Sequence, residues 1–145
     1  MPRSDFYILP SNDSDSRRRF LCKVLEKVHG LGHQIYIRTA DEAAARQLDE
    51  LLWEYCSEAF LPHNLIAEKL EMPSPIEIGY GDSLPQHREV YVNMALEASD
   101  LSLSFERIIE VVIQQDEILE ATRNNYRQYQ QRGYEIHMND MRRKG

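Results

Sequence analysis

The sequence predicts an α/β fold in which a mostly parallel sheet is flanked by helices. Three observations point there. The first half alternates short apolar runs with segments of helical period, β-α-β-α, an order that gives parallel strands joined by right-handed crossovers. The run Ile108-Ile109-Glu110-Val111-Val112-Ile113 is β-branched and reads as a central strand. The chain has 145 residues, 42% hydrophobic and 28% charged, the size and composition of one soluble domain with its own core. Residues 1–140 therefore read as a single α/β domain. Residues 141–145, with Arg142-Arg143-Lys144, read as a basic, flexible tail.

Taken in order, Phe6-Tyr7-Ile8-Leu9 is a buried first strand bounded by Pro10. The polar loop Ser11 to Ser16 supplies N-cap candidates. Phe20, Leu21, Val24, Leu25 and Val28 follow helical spacing, and Gly30 or Gly32 ends that helix. His33 to Ile37 reads as strand, and Asp41 starts the second helix. Ile66 to Ser74 is a polar connector. Ile76 to Tyr80 and Val90 to Met94 are strands, with a loop from Gly81 to Arg88 between them. Leu101 to Phe105 makes a short helical turn. Glu117 to Arg132 is a helix closed by Gly133, and Tyr134 to Met138 is a last, edge strand.

The stretch Gln47 to Asn64 changes character halfway. Leu48, Leu51, Leu52 and Tyr55 recur at i, i+3, i+4 and i+7, one buried stripe of a helix. At about 100° per residue Trp53 lies roughly 140° from Leu48, off that stripe. Phe60-Leu61-Pro62-His63-Asn64 then follows, and Pro62 makes it extended or turned. An off-face tryptophan next to an apolar loop needs cover, from this domain or from another protein. For Phe60 by itself, plain core packing is the favoured account.

Several function classes are disfavoured. With 24 acidic and 17 basic residues the net charge is −7, which argues against gripping duplex DNA through its phosphates. No apolar run is long enough to span a membrane, and Met-Pro-Arg-Ser-Asp opens no signal peptide. Cys22 and Cys56 sit among helical apolar positions and read as buried free thiols in a reducing cytoplasm. The first βα turn, Pro10 to Ser16, has no glycine and two aspartates that would repel phosphate, so a nucleotide cofactor is disfavoured. The five histidines do not pair at metal-ligand spacings. His63 next to Asn64 has no nucleophile elbow beside it and reads as a structural or interface residue. No catalytic residue is expected.

The last helix is the informative one. Ile118, Thr122, Asn125 and Tyr129 fall in a narrow arc and read as its packed side. Leu119, Arg123, Tyr126, Arg127 and Gln130 fall on an adjacent arc. From Ala121 to Tyr134 the acidic chain carries three arginines and no acid. Arginine forks bind carboxylates bidentately, and an aromatic neighbour supplies an apolar wall. The face suits a peptide with acids and an aromatic or apolar end. Taken alone, such a face is more often a solvated helix surface with its tyrosine half-buried.

The runs LDELLW and SEAFLPHNL, with Tyr126-Arg127-x-Tyr129 and Gly133-Tyr134 further on, resemble the chi subunit of bacterial DNA polymerase III holoenzyme. The resemblance spans nearly the whole chain, with FLPHNL its most specific block. It implies a Rossmann-like domain without a nucleotide site, and a cytoplasmic, non-catalytic adaptor of the replicative polymerase's clamp-loader assembly. It implies that the face of Arg123, Tyr126 and Arg127 binds the acidic C-terminal tail of single-stranded DNA-binding protein, which ends in a phenylalanine carboxylate. Leu119 stands where some relatives offer a basic residue. It further implies a heterodimer with the psi subunit through the segment matching Phe60-Leu61-Pro62-His63, with Trp53 beside it. The competing classes are a small Rossmann-like nucleotide-using enzyme and an adaptor for a DNA-repair helicase. The basic patch on the last helix is directed at a protein tail, and strong direct DNA binding is not expected.

Overall fold

Among the described residues seven strands, all parallel, form one sheet in the order β3-β4-β2-β5-β6-β1-β7. They are β1 (Arg3–Ile8), β2 (Ile35–Thr39), β3 (His63–Leu65), β4 (Ile76–Tyr80), β5 (Val90–Asn93), β6 (Arg107–Val112) and β7 (Glu135–Asp140). Three helices accompany them: α1 (Ser14–Gly30), α2 (Glu42–Tyr55) and α3 (Asp116–Gln131). The computed structural model describes residues 2–55 and 61–142.

Side chains alternate across a strand, so neighbours in sequence point to opposite faces. Tyr7 packs its ring on Phe20 of α1, at 5.3 Å, while Phe6 packs on Tyr126 and Tyr129 of α3, at 5.7 and 5.9 Å. Helix α1 therefore covers one face and α3 the other. Helix α2 packs against α1 and against β2, β3 and β4, and so shares the face of α1.

Each helix buries the stripe its period dictates. In α1 this is Leu21, Val24, Leu25 and Val28. In α3 it is Ile118, Ala121, Asn125 and Tyr129, with Thr122 half-buried at the margin and its hydroxyl donating to the Ile118 carbonyl. The third helix ends where Gly133 takes a φ of +82°, a conformation that L side chains disfavour.

The centre of the sheet is apolar on both faces, as parallel sheets require. On the α3 side Tyr36, Tyr91 and Phe105 form an aromatic cluster, with Tyr36 and Tyr91 5.5 Å apart and Phe105 5.1 Å from Tyr91. Tyr36 lies across Gly79 of the neighbouring strand and donates its hydroxyl to the Ser83 carbonyl at 2.7 Å. Burial pushes its phenol up to about 12.

The end of the FLPHNL block takes the extended one of its two expected forms, as the short strand β3. Pro62 cannot donate to a ladder, but the residues after it pair with β4, His63 with Ile76 and Leu65 with Ile78. The connector that follows contains a 3-10 turn, Ile66–Glu68. Cys22 departs from expectation. Helical spacing puts it at the rim of the α1 stripe, so it is half-buried, and it is disulfide-bonded instead of free. Cys56 lies outside the described residues.

Candidate functional site

The exposed side of α3 carries the residues singled out in the sequence. Arg123, Arg127 and Gln130 are exposed, and Leu119 and Tyr126 are half-buried with their apolar parts packed on the core. The i, i+4 spacing places the two guanidiniums on one face. Neither makes an ion pair with a carboxylate among the described residues.

Tyr126 is anchored by its ring contact with Phe6, which is fully buried in β1. Phe6 pairs in register with Met138 of the edge strand β7. Met138 therefore lies on the same face as Phe6, beside the α3 helix, and is 50% exposed. It was missed as a surface residue of this region. The alternation Tyr134, Ile136, Met138 was the available signal. What it lacked was the knowledge that α3 lies over β6 and β7.

Under α3 lies a buried polar node. Glu110 of β6 accepts hydrogen bonds from Tyr129 Oη at 2.6 Å, from Asn93 Nδ2 at 3.0 and 3.2 Å, and from Asn125 Nδ2 at 3.4 Å. Burial pushes its carboxyl up to about 7, against the pull of these donors and of Arg17. Asn125 also ties α3 to the segment before the 3-10 turn Asp100–Ser104, accepting from Ala98 N and donating to the Leu96 carbonyl. The exposed face of α3 thus rests on a fixed base.

A second surface lies at the far end of the sheet. Trp53 projects from α2 and is 57% exposed, off the stripe of Leu48 and Leu52. Its ring stacks on His63 at 4.2 Å. The His63 side chain is buried, with Nδ1 2.7 Å from the Leu61 carbonyl and Nε2 3.1 Å from the Asp49 carbonyl. Leu61 is also buried, while Pro62 is exposed. Of the block expected at a partner interface, Trp53 and Pro62 face outward, and Leu61 and His63 support them from below. Phe60 lies outside the described residues.

The carboxyl ends of the strands, where parallel sheets commonly take ligands, were tested for a nucleotide site. Helix α1 begins with Asp13 as its cap, whose carboxylate accepts from Ser16 N at 2.9 Å. Those hydrogen bonds hold the Asp13 carboxyl below its ordinary range. Helix α2 is closed in the same way by Asp41, which accepts from Ala44 N at 2.8 Å. A phosphate at either helix start would have to displace a carboxylate. Among the described residues no cluster of three histidine, cysteine or acidic side chains is set to hold a metal ion. No described helix is long and apolar enough to cross a membrane.

A model of the family described as DNA polymerase III chi subunit, HolC, matches residues 1–137. The chain is 38% identical over 136 residues to DNA polymerase III subunit chi of Pseudomonas aeruginosa, covering 94% of both chains. It is 32% identical over 134 residues to the protein of the same name from Haemophilus influenzae, covering 92% of this chain and 93% of that one. Against the Escherichia coli protein of that name the identity is 24% over 141 residues, 94% of this chain and 96% of the relative.

Proposed function

The chain belongs to the DNA polymerase III chi subunit family, and on that premise we propose that it is a non-catalytic accessory subunit of the polymerase, an adaptor between two protein partners. One partner is the acidic, phenylalanine-terminated tail of single-stranded DNA-binding protein, received on the exposed face of α3. The other is a psi subunit, received at the end of α2 and through it joined to the clamp-loader assembly. The adaptor works in the cytoplasm on the lagging strand.

The observation that carries this reading is the pair Arg123 and Arg127. These are exposed guanidiniums on one helix face without carboxylate partners among the described residues, in a chain of net charge −7. Tyr126 beside them offers an apolar wall fixed by Phe6. The tail's acids and terminal carboxylate suit the arginines, and its ring suits the patch of Tyr126, Leu119 and Met138. Gln130 adds a neutral donor at the end of the strip. Isothermal titration of the protein with an acidic peptide ending in phenylalanine is the test. Saturable binding that needs the free carboxylate supports the reading, and absence of binding sinks it.

The psi reading draws on Trp53. A tryptophan held by a buried histidine and more than half exposed is the kind of rigid aromatic that anchors interfaces. Trp53 and Pro62 would meet the partner, with Leu61 and His63 fixing their geometry, and Phe60 belongs to the same proposed surface. Co-purification with a psi subunit, lost on Trp53→Ala, tests it.

A further inference from the structure

A cleft of about 140 Å³ opens between α1 and α2 at the carboxyl ends of β2 and β5. It lies on the face of the sheet opposite α3, away from the arginine strip. Its polar lining is Arg17, Arg18, Ser14, Thr39 and Gln47, and its floor includes Leu48 and Met94. No acidic side chain lines it. We propose that this cleft is a binding site for a small tetrahedral oxyanion of the phosphate class, held by the guanidiniums of Arg17 and Arg18.

Arg17 carries the argument. Its Nε donates to the Val111 carbonyl at 2.8 Å, which fixes the guanidinium plane. Arg17 is also one of the residues that line the cleft. It makes no ion pair with a carboxylate among the described residues, and the attraction of Glu110, inside the protein, opposes the effect of burial without outweighing it. Burial pulls the Arg17 pKa down, which marks a cation short of solvent and of an anion. A part-buried charge without its partner costs stability, and an external oxyanion would relieve that cost.

The second cation is also available. Arg18 meets only Asp15, at 3.7 Å and in solvent, an interaction of small worth. The two helix starts contribute nothing here, because Asp13 and Asp41 already cap them. Attraction comes from the guanidiniums over an apolar floor, where low dielectric strengthens it. Ser14 and Gln47 add neutral donors to the lining.

Size limits the ligand. Cofactor and drug-like ligands fill pockets of roughly 300–1,000 Å³. A cleft of about 140 Å³ takes one phosphoryl-sized group with little around it. A whole nucleotide does not fit inside, so the proposal leaves the rejection of a nucleotide cofactor intact. It also stands apart from the two partner surfaces, and peptide binding on α3 is unaffected by its outcome.

Inorganic phosphate is the probe. The full chain, labelled with nitrogen-15, is titrated with phosphate against chloride at constant ionic strength, and the Arg17 Nε–H resonance is followed. A saturable shift with phosphate and none with chloride is expected. Arg18→Gln should weaken the fitted affinity roughly ten- to a hundredfold, the loss of one charge-assisted contact. Gln47→Glu, which places an acid in the cleft, should abolish saturation. Neither variant removes the Val111 bond, so both should keep the wild-type circular dichroism spectrum, and the melting midpoint of Gln47→Glu should be at or above that of the wild type, even if Arg17→Gln fails to fold. A non-saturating shift, an equal shift with chloride, or an unchanged isotherm in Gln47→Glu overturns the site.

Discussion

The phenolic hydroxyl of Tyr129 on α3 donates to a carboxylate oxygen of Glu110 on β6 at 2.6 Å, in the buried space between helix and sheet. The two side chains bind the candidate peptide face to the centre of the fold. Asn93 from β5 and Asn125 from α3 complete the shell around the carboxylate. Even with these donors, burial dominates and lifts the carboxyl to about 7. Near neutral pH this acid is close to half-charged, so its protonation state is linked to stability.

The sign follows from the direction of the shift. The carboxyl titrates near 4.5 in the unfolded chain and about 7 in the folded one. Between those values the folded state binds more protons. The stability it contributes is fully present below pH 4.5 and is lost as pH rises through 7. The change is on the order of 3 kcal/mol. In Glu110→Gln that share of the pH dependence should vanish. Urea denaturation of both proteins from pH 5 to 8 measures it. If their stability difference stays constant across the range, the carboxyl is not shifted as described.

Tyr129→Phe keeps the ring and removes the donor. Loss of a hydrogen bond to a buried, partly charged acceptor should cost roughly 1–3 kcal/mol, more above pH 7 than below, because the bond to the charged carboxylate is stronger than the bond to the neutral carboxyl. A variant as stable as the wild type at pH 8 would mean that water or Asn125 takes over the contact.

Gly79 is a steric requirement rather than a conformational one. A Cβ there would sit 2.8 Å from Tyr36 Oη and 2.9 Å from its Cε1. Tyr36 is fully buried and its hydroxyl is tied to Ser83, so it has little room to yield. Gly79→Ala should destabilise by about 1–3 kcal/mol through overpacking. The midpoint of thermal unfolding should fall by a few degrees for each kcal/mol. Unchanged melting would show that the tyrosine ring can swing aside.

Local pattern made much of this legible. The periods of α1 and α3 give most of their buried stripes directly, that of α2 gives buried Leu48 and Leu52 with Leu51 half-buried, and the β-branched run gives β6 near the middle of the sheet. The off-face position of Trp53 also follows from the helical period, and it is exposed. Strand β3 was not legible, because three residues after a proline carry no alternation of their own. Its pairing is supplied by β4, which comes ten residues later. Glu110 is visible in the sequence only as an acid inside an apolar strand. Its donors come from positions 93, 125 and 129, which topology alone brings together. Met138 and the cleft at Arg17 were missed for the same reason: each depends on which helix crosses which strand.

For the psi surface, Trp53→Ala is the sharper experiment. The ring lies on buried His63, but more than half of its surface is open. Truncation should weaken partner binding by roughly 2 kcal/mol or more, about thirtyfold. Stability should fall less, since the exposed part of the ring contributes little to folding. Phe60→Ala is expected to weaken the same interaction. Titration against a psi subunit, with circular dichroism as the folding control, separates the effects. Full affinity in Trp53→Ala would place the partner elsewhere.

The last prediction concerns Arg127. Its guanidinium is exposed, lies one turn from Arg123, and has no carboxylate partner among the described residues. If the two arginines receive the terminal carboxylate and upstream acids of the tail, removing one charge-assisted contact should cost on the order of 1.5–3 kcal/mol. That is roughly a ten- to hundredfold loss of affinity. Folding should hardly notice, because an exposed charge contributes little to stability. Tyr126→Ala should act differently. It removes a half-buried ring packed on Phe6, so it should lower both peptide affinity and stability. Salt should weaken the wild-type complex, since partly exposed charges are screened over about 10 Å at 0.1 M. Salt should weaken the Arg127→Ala complex less. Amidating the peptide's carboxylate should cost affinity in the wild type and much less in a protein lacking both arginines. Isothermal titration with native, amidated and phenylalanine-deleted peptides separates the carboxylate from the ring. Full binding by Arg127→Ala, or indifference to the free carboxylate, would move the peptide off this face of α3 while leaving the family assignment standing.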